Sequence, residues 1–325
     1  MIKRLFFTAV LLMPSLAYAG NPSANLSVQV VPAASTPPLP AGAQAAGYTT
    51  LAFHSDFTSP SYSNVANWLD CAGASNPTWF VDAANGTPAG PVPCGRISMT
   101  TDGGVQVMDM KFTAADAAQV ATALVTINTL GGFNKGLDFP NGGYFQATYR
   151  LANGQNTNAY GLLSTGWWSW SDTGHTGLSP AYLEKDFLET YSTGCCHNDS
   201  VTHQWGSVDN GAIDLAGFGL PEYPIDITTY HTIAMRWTQD GSATAAMCMY
   251  IDGVFQNCGS KAMISSQLNQ RNYPILTAGP QSTTPATADY DILVKDVQIW
   301  TCAGWRGPLN TPGNACNGAV LTSAP

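Results

Sequence analysis

The stretch Tyr182-Leu-Glu-Lys-Asp-Phe-Leu-Glu-Thr-Tyr191 puts three carboxylates into six residues. It is rich in aromatic residues, Leu and Thr and is bounded by turn residues, so it predicts a β-strand. Residues i and i+2 of a strand share a face, which predicts that Glu184 and Asp186 point to the same side. Glu189 has the opposite parity. One β-bulge between Asp186 and Glu189 would add a residue and return Glu189 to the side of the other two acids.

Three acids on one wall of a cleft have a specific chemical use. Like charges a few ångströms apart cannot all ionise cheaply, so at least one pKa would be raised, as suits a group that donates a proton near neutral pH. Enzymes that hydrolyse glycosidic bonds with retention hold a nucleophile and an acid/base about 5–5.5 Å apart. A solvated acidic strand edge is the alternative interpretation. The pattern favours glycosidic bond hydrolysis.

The pattern E-x-D-x-x-E on a strand is the active-site signature of glycoside hydrolase family 16, and Glu184-Lys-Asp-Phe-Leu-Glu189 resembles it. The resemblance runs in order over residues 48–301. It includes four further stretches that are similar to strands or hairpins of that family, at 142–150, 230–237, 247–255 and 290–300. Lys185 departs from the pattern, because the family has an aliphatic residue there that faces the packed layer between the sheets, where a lysine is costly to bury.

The resemblance implies an all-β fold, a two-sheet antiparallel β-sandwich of the concanavalin A-like jelly-roll type, and the many short strands separated by turns agree with it. Thr113 to Leu130 predicts a short helical turn followed by a strand. By the family's roles Glu184 would be the nucleophile, Glu189 the general acid/base, and Asp186 the residue between them that tunes its neighbours.

The implied function is that of a secreted, endo-acting, retaining glycoside hydrolase that cuts internal β-linkages of a neutral polysaccharide. A β-1,3- or β-1,3-1,4-glucan is the first expectation and a galactan the second. A non-catalytic, lectin-like carbohydrate-binding protein of the same fold is the alternative, because a fold does not fix a function. A polysaccharide lyase would need cations to neutralise a uronate, and Lys and Arg are scarce here.

Five aromatic or imidazole side chains near the acids are candidates for stacking on sugar rings: Trp167, Trp168, Trp170, His203 and Trp205. Aromatic faces are large and apolar, as are the C–H faces of pyranoses. Packing in the core or at the rim of the sandwich is the alternative for each tryptophan. Because adjacent residues of a strand face opposite sides, only one of Trp167 and Trp168 is expected in the cleft.

No cofactor is expected for this chemistry. His197 and His203 lack a carboxylate or cysteine at the spacing of a metal site, and His231, at the start of a strand, reads as structural. The resemblance implies that Asp296 could supply one ligand to a structural Ca²⁺, an ion that takes six or more oxygens.

The overall composition restricts the partners. The chain has 325 residues, only 10% of them charged, with a net charge of −9 and a pI near 4.7. Twelve Lys and Arg residues cannot form a stripe that binds phosphates, which argues against nucleic acid. A strongly anionic polymer is also disfavoured as a substrate. We expect the partner to be a neutral polysaccharide and the protein to be a monomer.

The two ends of the chain differ from the middle. Met1-Ile-Lys-Arg4 is basic, residues 5–16 are apolar, and Ala17-Tyr-Ala19 offers a cleavage site, so residues 1–19 read as a signal peptide and the protein is expected to be secreted or periplasmic. Residues 20–47 are rich in Pro and Ala and predict a leader or linker. Residues 48–301 would form the catalytic domain, and residues 302–325 a disulfide-tied tail. No later stretch predicts a membrane span.

Eight cysteines, an even count, fit an oxidising compartment. Their spacing favours three bridges that close short loops, Cys71–Cys94, Cys248–Cys258 and Cys302–Cys316. Cys195 and Cys196 would form a vicinal bridge or pair elsewhere. The zinc alternative lacks C-x-x-C spacing. Counting outward from the Asp252-Gly253 turn sets Cys248 opposite Asn257, so the second bridge requires a register irregularity.

Overall fold

The computed structural model describes residues 36–75, 77–81, 94–112, 120–123, 125–127, 133–136, 139, 142–152, 165–171, 182–191, 197–205, 225–239, 244–262, 272–278 and 290–301. The predicted signal peptide, the helical turn after Thr113, the C-terminal tail and the cysteines at 195, 196, 302 and 316 lie outside these ranges. In the ranges themselves, no helix is both long and apolar enough to cross a membrane.

The described chain is built almost entirely of strands. One short α-helix, α1, spans Ala41–Ala45 in the described ranges, and four 3₁₀ helices span Pro60–Tyr62, Val65–Asn67, Asp70–Ala72 and Cys94–Arg96. The strands are β1 Thr50–Asp56, β2 Phe80–Val81, β3 Ile97–Asp102, β4 Val105–Phe112, β5 Val120–Ala123, β6 Val125–Ile127, β7 Phe133–Gly136, β8 Gly142–Ala152, β9 Thr165–Ser171, β10 Tyr182–Tyr191, β11 His197–Trp205, β12 His231–Gln239, β13 Thr244–Ile251, β14 Val254–Ala262, β15 Asn272–Ala278 and β16 Tyr290–Thr301. In place of the single strand predicted after Thr113, the structure has two, β5 and β6, which belong to different sheets.

These strands form two large antiparallel sheets and one small one. The order of the eight-stranded sheet is β14-β13-β12-β8-β16-β4-β3, with β1 also paired to β16. The order of the six-stranded sheet is β11-β10-β9-β15-β5-β2, and β6 pairs with β7 alone. The predicted all-β sandwich of the jelly-roll type is confirmed.

The core lies between the two large sheets, and strand β8 illustrates how the sequence builds it. Phe145, Ala147, Tyr149 and Leu151 alternate along β8 and are all buried in the main hydrophobic cluster. The intervening residues point to the opposite, outer face of the sheet, because side chains alternate with a period of two. Strands β9, β10 and β15 of the other sheet contribute Trp167, Phe187 and Leu276 to the same cluster.

The folded region begins before Tyr48. Helix α1 packs on the outer face of the eight-stranded sheet, where Ala43 and Tyr48 are fully buried in a second cluster with Tyr144 and Tyr250. A methyl group added to Gly42 would come within 2.7 Å of the Tyr250 ring, so only glycine permits this close approach. The last part of the predicted leader, from residue 36 to 47, is therefore an ordered part of the domain.

The hairpin of β13 and β14 confirms the register expected for its disulfide. Asp252 and Gly253 both have positive φ, as the two central residues of a type I′ turn require. A register shift beyond Met249 brings Cys248 opposite Cys258, and the two are bridged. The predicted Cys71–Cys94 bridge is also present.

Two carboxylates on the outer face of the eight-stranded sheet have pKa values shifted in opposite directions. Hydrogen bonds from Arg150 and Tyr230 lower the pKa of Asp102 to about 2. Burial, reinforced by the nearby charge of Asp291, raises the pKa of Asp109 to about 6. The Oδ1 atom of Asp109 is buried without a hydrogen-bond partner in the described chain. The folded state therefore favours the ionised form of Asp102 and the protonated form of Asp109.

We predict that Asp109→Asn raises the free energy of unfolding at pH 8 by about 1–2 kcal/mol, a value already reduced for partial solvent exposure. The folded pKa of Asp109 lies above its unfolded value, so its ionisation destabilises the protein above pH 6 and not below about pH 4. Urea denaturation at pH 8 and at pH 4 measures this, and the benefit should vanish at pH 4. Asp102→Asn is the control, and it should lower the free energy of unfolding at pH 8, because the folded state favours the ionised form of Asp102. An Asp109→Asn variant less stable than the wild type at pH 8 contradicts the prediction.

Candidate active site

The acidic strand β10 lies between β9 and β11, and its register arranges the candidate residues in rows. Glu184 lies opposite Trp170 on β9 and His203 on β11. Residues directly opposite each other in a sheet share a face. The positions of Glu184, Trp170 and His203 therefore form one row on one face of the six-stranded sheet.

The second and third rows follow along the same face. Asp186 lies opposite Trp168 on β9 and Val201 on β11, and Glu189 lies opposite Gly166 and Asp199. Positions 166, 168 and 170 of β9 have the same parity and share a face. The register thus puts positions 184, 186 and 189 on the same face, which we call the acid face.

The predicted bulge accounts for this arrangement. The register of β10 shifts between Asp186 and Leu188 relative to β9, and between Asp186 and Glu189 relative to β11. Phe187 falls inside the irregularity on both sides. One residue is therefore extra in β10, and the prediction of a bulge between Asp186 and Glu189 is confirmed.

The bulge is anchored from the core side by Phe187. Its ring is fully buried, stacks on Phe145 of the opposite sheet at a centroid distance of 5.3 Å, and meets the edge of Trp167 at 5.4 Å. This packing fixes which side of β10 faces the core. The acid face is consequently the side turned away from the inter-sheet layer.

The candidate sugar-binding residues divide by the same parity. Trp167 is 0% exposed and belongs to the core cluster, so its indole has no surface to offer a polysaccharide and is a packing residue. Trp168 and Trp170 have the opposite parity, and their positions lie on the acid face. His203 and Trp205 lie on the same face through their pairing with Glu184 and Tyr182. The expectation that only one of Trp167 and Trp168 faces the cleft agrees with this register.

Lys185 occupies the register position at which the family resemblance implies a residue facing the layer between the sheets. It lies opposite Ser169, a residue that is 2% exposed. The position is therefore on the core face of β10, although the residue is charged.

Asp199, which lies directly opposite Glu189 on the acid face, is not among the residues predicted from the sequence. The signal was available, because Asp199 has the same parity as His203 and Trp205 in an alternating strand. The sequence also gives no indication that Tyr273 and Ile275 of β15, which lie opposite Trp170 and Trp168, are fully buried. The part of the acid face that β15 forms at Tyr273 and Ile275 is therefore closed to solvent.

The calcium ligand implied at Asp296 does not fit the arrangement around that residue. Nε2 of His54 lies 2.6 Å from Oδ1 of Asp296, and Nε2 of Gln298 donates to Oδ2 at 2.7 Å. Nitrogen groups therefore face both carboxylate oxygens, whereas Ca²⁺ requires a cage of oxygens. In the described part of the chain, no group of three or more His, Cys, Asp or Glu residues could hold a metal ion. His231 hydrogen-bonds Asp252 of the hairpin turn at 2.7 Å, in keeping with a structural role.

We predict that Phe187→Ala lowers the free energy of unfolding by about 3–5 kcal/mol, because it removes a fully buried ring and leaves a cavity. Phe187→Leu should cost less, since it retains much of the volume. Chemical denaturation measures both, and Val254→Ala, at a position 62% exposed, is the control. An equal and small effect of Phe187→Ala and Val254→Ala would show that the ring does not anchor the strand.

Comparison with solved structures identifies the fold. An endo-β-galactosidase from Clostridium perfringens that releases GlcNAcα1-4Gal superposes with a TM-score of 0.53 at 16% identity, over 82% of this chain and 65% of that enzyme. This chain therefore spans less than two thirds of that enzyme's length. An endo-acting O-glycanase of the human gut microbiota, named for initiating mucin breakdown, also superposes with a TM-score of 0.53, at 12% identity, over 78% of this chain and 100% of that one.

A family 16 glycoside hydrolase from Bacteroides ovatus, solved with a mixed-linkage glucan product, has a TM-score of 0.49 at 12% identity, over 76% of this chain and 99% of that one. No family model matches the chain, and no curated protein sequence matches it. The likeness lies in the architecture alone: the two structures with a TM-score of 0.53 share the fold of this chain, an antiparallel jelly-roll sandwich.

Proposed function

We propose that this protein is an endo-acting, retaining glycoside hydrolase whose nucleophile is Glu184 and whose general acid/base is Glu189. The observation that carries the proposal is the bulged register of β10, which gives positions 184, 186 and 189 a common face. Without the bulge, position 189 would belong to the core face. β-Bulges are common next to active sites, and retaining enzymes need two carboxylates on one face, which supports a catalytic pair here.

The spacing is compatible with a retaining mechanism. Positions 184 and 189 lie opposite residues 170 and 166 of β9, which are four residues, or about 13 Å, apart along the strand. Two carboxyl groups about 5–5.5 Å apart are therefore reached only if both side chains lean toward Asp186. The length of glutamate permits this, and aspartate at either position would be one methylene too short.

In this mechanism Glu184 attacks the anomeric carbon while Glu189 protonates the leaving oxygen. Glu189 then activates a water molecule that hydrolyses the glycosyl-enzyme. Asp186, between them, would hold a proton or hydrogen bond that keeps the two glutamates in different protonation states. Trp168, Trp170, His203 and Trp205, which share the acid face by register, would contact the sugar rings.

Glutamate usage supports a catalytic role over a lectin-like one. The chain has only three glutamates, Glu184, Glu189 and Glu222, so two of the three are on one strand. A sugar-binding protein has no need of a catalytic pair at this spacing. A lectin-like protein remains the second candidate because the fold supports both roles.

The substrate we propose is a neutral β-linked glycan. A β-1,3- or β-1,3-1,4-glucan is the expectation from the sequence, and the two neighbours with a TM-score of 0.53 are named as an endo-β-galactosidase and an O-glycanase of mucin breakdown. A β-galactoside-containing glycan therefore stands beside the glucans. We further propose that residues 1–19 direct export, that residues 302–325 form a disulfide-tied tail, and that the protein acts as a monomer.

We predict that Glu184→Gln and Glu189→Gln each reduce the hydrolysis of the preferred glycan at least about a hundredfold, because each removes a group that acts on the reacting bond. Glu184→Asp and Glu189→Asp should also be strongly impaired. Glu222→Gln is the matched control and should retain activity. Reducing-end release and chromatography of products from laminarin, mixed-linkage glucan, a β-galactan and mucin O-glycans measure this. Binding of a glycan by the wild type with no product from any of them supports the lectin-like alternative.

Azide distinguishes the two roles. With an activated aryl glycoside, azide should rescue Glu184→Ala by direct attack and give a glycosyl azide of inverted configuration. It should rescue Glu189→Ala by intercepting the glycosyl-enzyme and give the retained configuration. NMR of the products reads the configuration. The reverse assignment of products would exchange the roles of the two residues.

A further inference from the structure

A buried arginine contacts a disulfide on the outer face of the eight-stranded sheet. Arg236 is 4% exposed, and its Nη2 lies 2.8 Å from Sγ of Cys248 and 3.8 Å from Sγ of Cys258. Its Nε is buried without a hydrogen-bond partner. Within the described ranges no carboxylate lies within ion-pair distance of this guanidinium, in contrast to Arg150, which pairs with Asp102.

The register of three neighbouring strands creates this contact. Arg236 of β12 lies opposite Cys248 of β13, which in turn lies opposite Cys258 of β14. The three residues therefore form one row on the same face. The two sulfurs differ in their surroundings, because Cys248 is fully buried against the guanidinium whereas Cys258 is only partly buried.

This asymmetry has a chemical consequence for thiol–disulfide exchange. The rate of exchange depends on access to the attacked sulfur and on how well the departing sulfur carries negative charge. A neighbouring arginine stabilises a thiolate. Cys258 is the less buried residue of the two, and Cys248 is the one whose sulfur is held beside a fixed positive charge. Attack at Cys258 with departure of Cys248 satisfies both conditions at once.

We propose that the Cys248–Cys258 bridge is a site of thiol–disulfide exchange with an external dithiol, in which Arg236 stabilises the departing Cys248 thiolate. A thiolate of the dithiol attacks Sγ of Cys258, a mixed disulfide forms, and the bond to Cys248 breaks with its electron pair left on Cys248. The second thiolate of the dithiol then attacks the mixed disulfide and releases the Cys258 thiolate, which takes up a proton. The dithiol is oxidised to a disulfide and the protein bridge is reduced, a two-electron exchange.

The Cys71–Cys94 bridge provides a comparison within the same molecule. Cys71 is exposed and Cys94 is partly buried. If access alone governed reduction, this bridge would react first. If the guanidinium governs it, the more buried Cys248–Cys258 bridge reacts first.

The test is the order in which the two bridges are reduced in the folded, full-length protein. Dithiothreitol is added at neutral pH, samples are acid-quenched over time, and free thiols are alkylated before and after full reduction with two isotopic forms of one reagent. Peptide mass spectrometry then gives the redox state of each cysteine. We expect Cys248 and Cys258 to appear as thiols before Cys71 and Cys94. The opposite order overturns the proposal without any variant being needed.

A second measurement identifies the attacked sulfur. With glutathione in place of dithiothreitol, the mixed disulfide should be found on Cys258, and its location on Cys248 would contradict the mechanism. Arg236→Met should slow reduction of this bridge about tenfold or more, whereas Arg236→Lys should retain part of the rate. The rate at Cys71–Cys94 in each variant is the control for loss of folding, since unfolding would accelerate both bridges. An unchanged rate in a folded Arg236→Met variant assigns the arginine no role in the exchange.

Discussion

The contact between Phe187 and the rings of Trp167 and Phe145 is the constraint on which the candidate site depends. A strand of a sandwich must present one face to the core, and well-packed interiors hold that face in a single arrangement. Because Phe187 lies inside the register irregularity, the same ring that joins the two sheets also holds the extra residue in place. The face on which position 189 lies is thus set on the opposite side of the strand, by the packing of Phe187.

The features that the sequence predicted correctly are those that parity and turn chemistry decide locally. The bulge in β10 follows from the parity of Glu189 relative to Glu184 and Asp186. The displaced pairing of Cys248 follows from counting outward from the Asp252-Gly253 turn. Both features depend on the two-residue period of a strand, in which a slip of one residue turns every side chain to the other face.

What the sequence could not predict depends on residues far apart in the chain. Parity says that Trp167 and Trp168 face opposite sides, but only the packing of Phe145 and Phe187 decides which of them is buried. The docking of α1 depends on Tyr144 and Tyr250, which are about 100 and 200 residues away and have no local signature. Similarly, the resemblance implied that Asp296 could bind calcium. The pairing of β1 with β16, which the sequence does not predict, brings His54 against that carboxylate instead.

This chain has few charged residues, so the contacts of each one help to separate a structural role from a chemical one. Only 10% of the residues are charged, and two carboxylates described on the outer face have nitrogen partners: Asp102 is bound by Arg150 and Asp296 by His54. A buried charge is costly unless it is paired. Arg236 is buried beside a polarizable disulfide, and position 189 lies opposite another acid, Asp199. Under the two proposals made above, Arg236 would stand beside the charge of a departing thiolate, and Glu189 would transfer a proton at a position opposite a second acid, unlike carboxylates held in structural ion pairs.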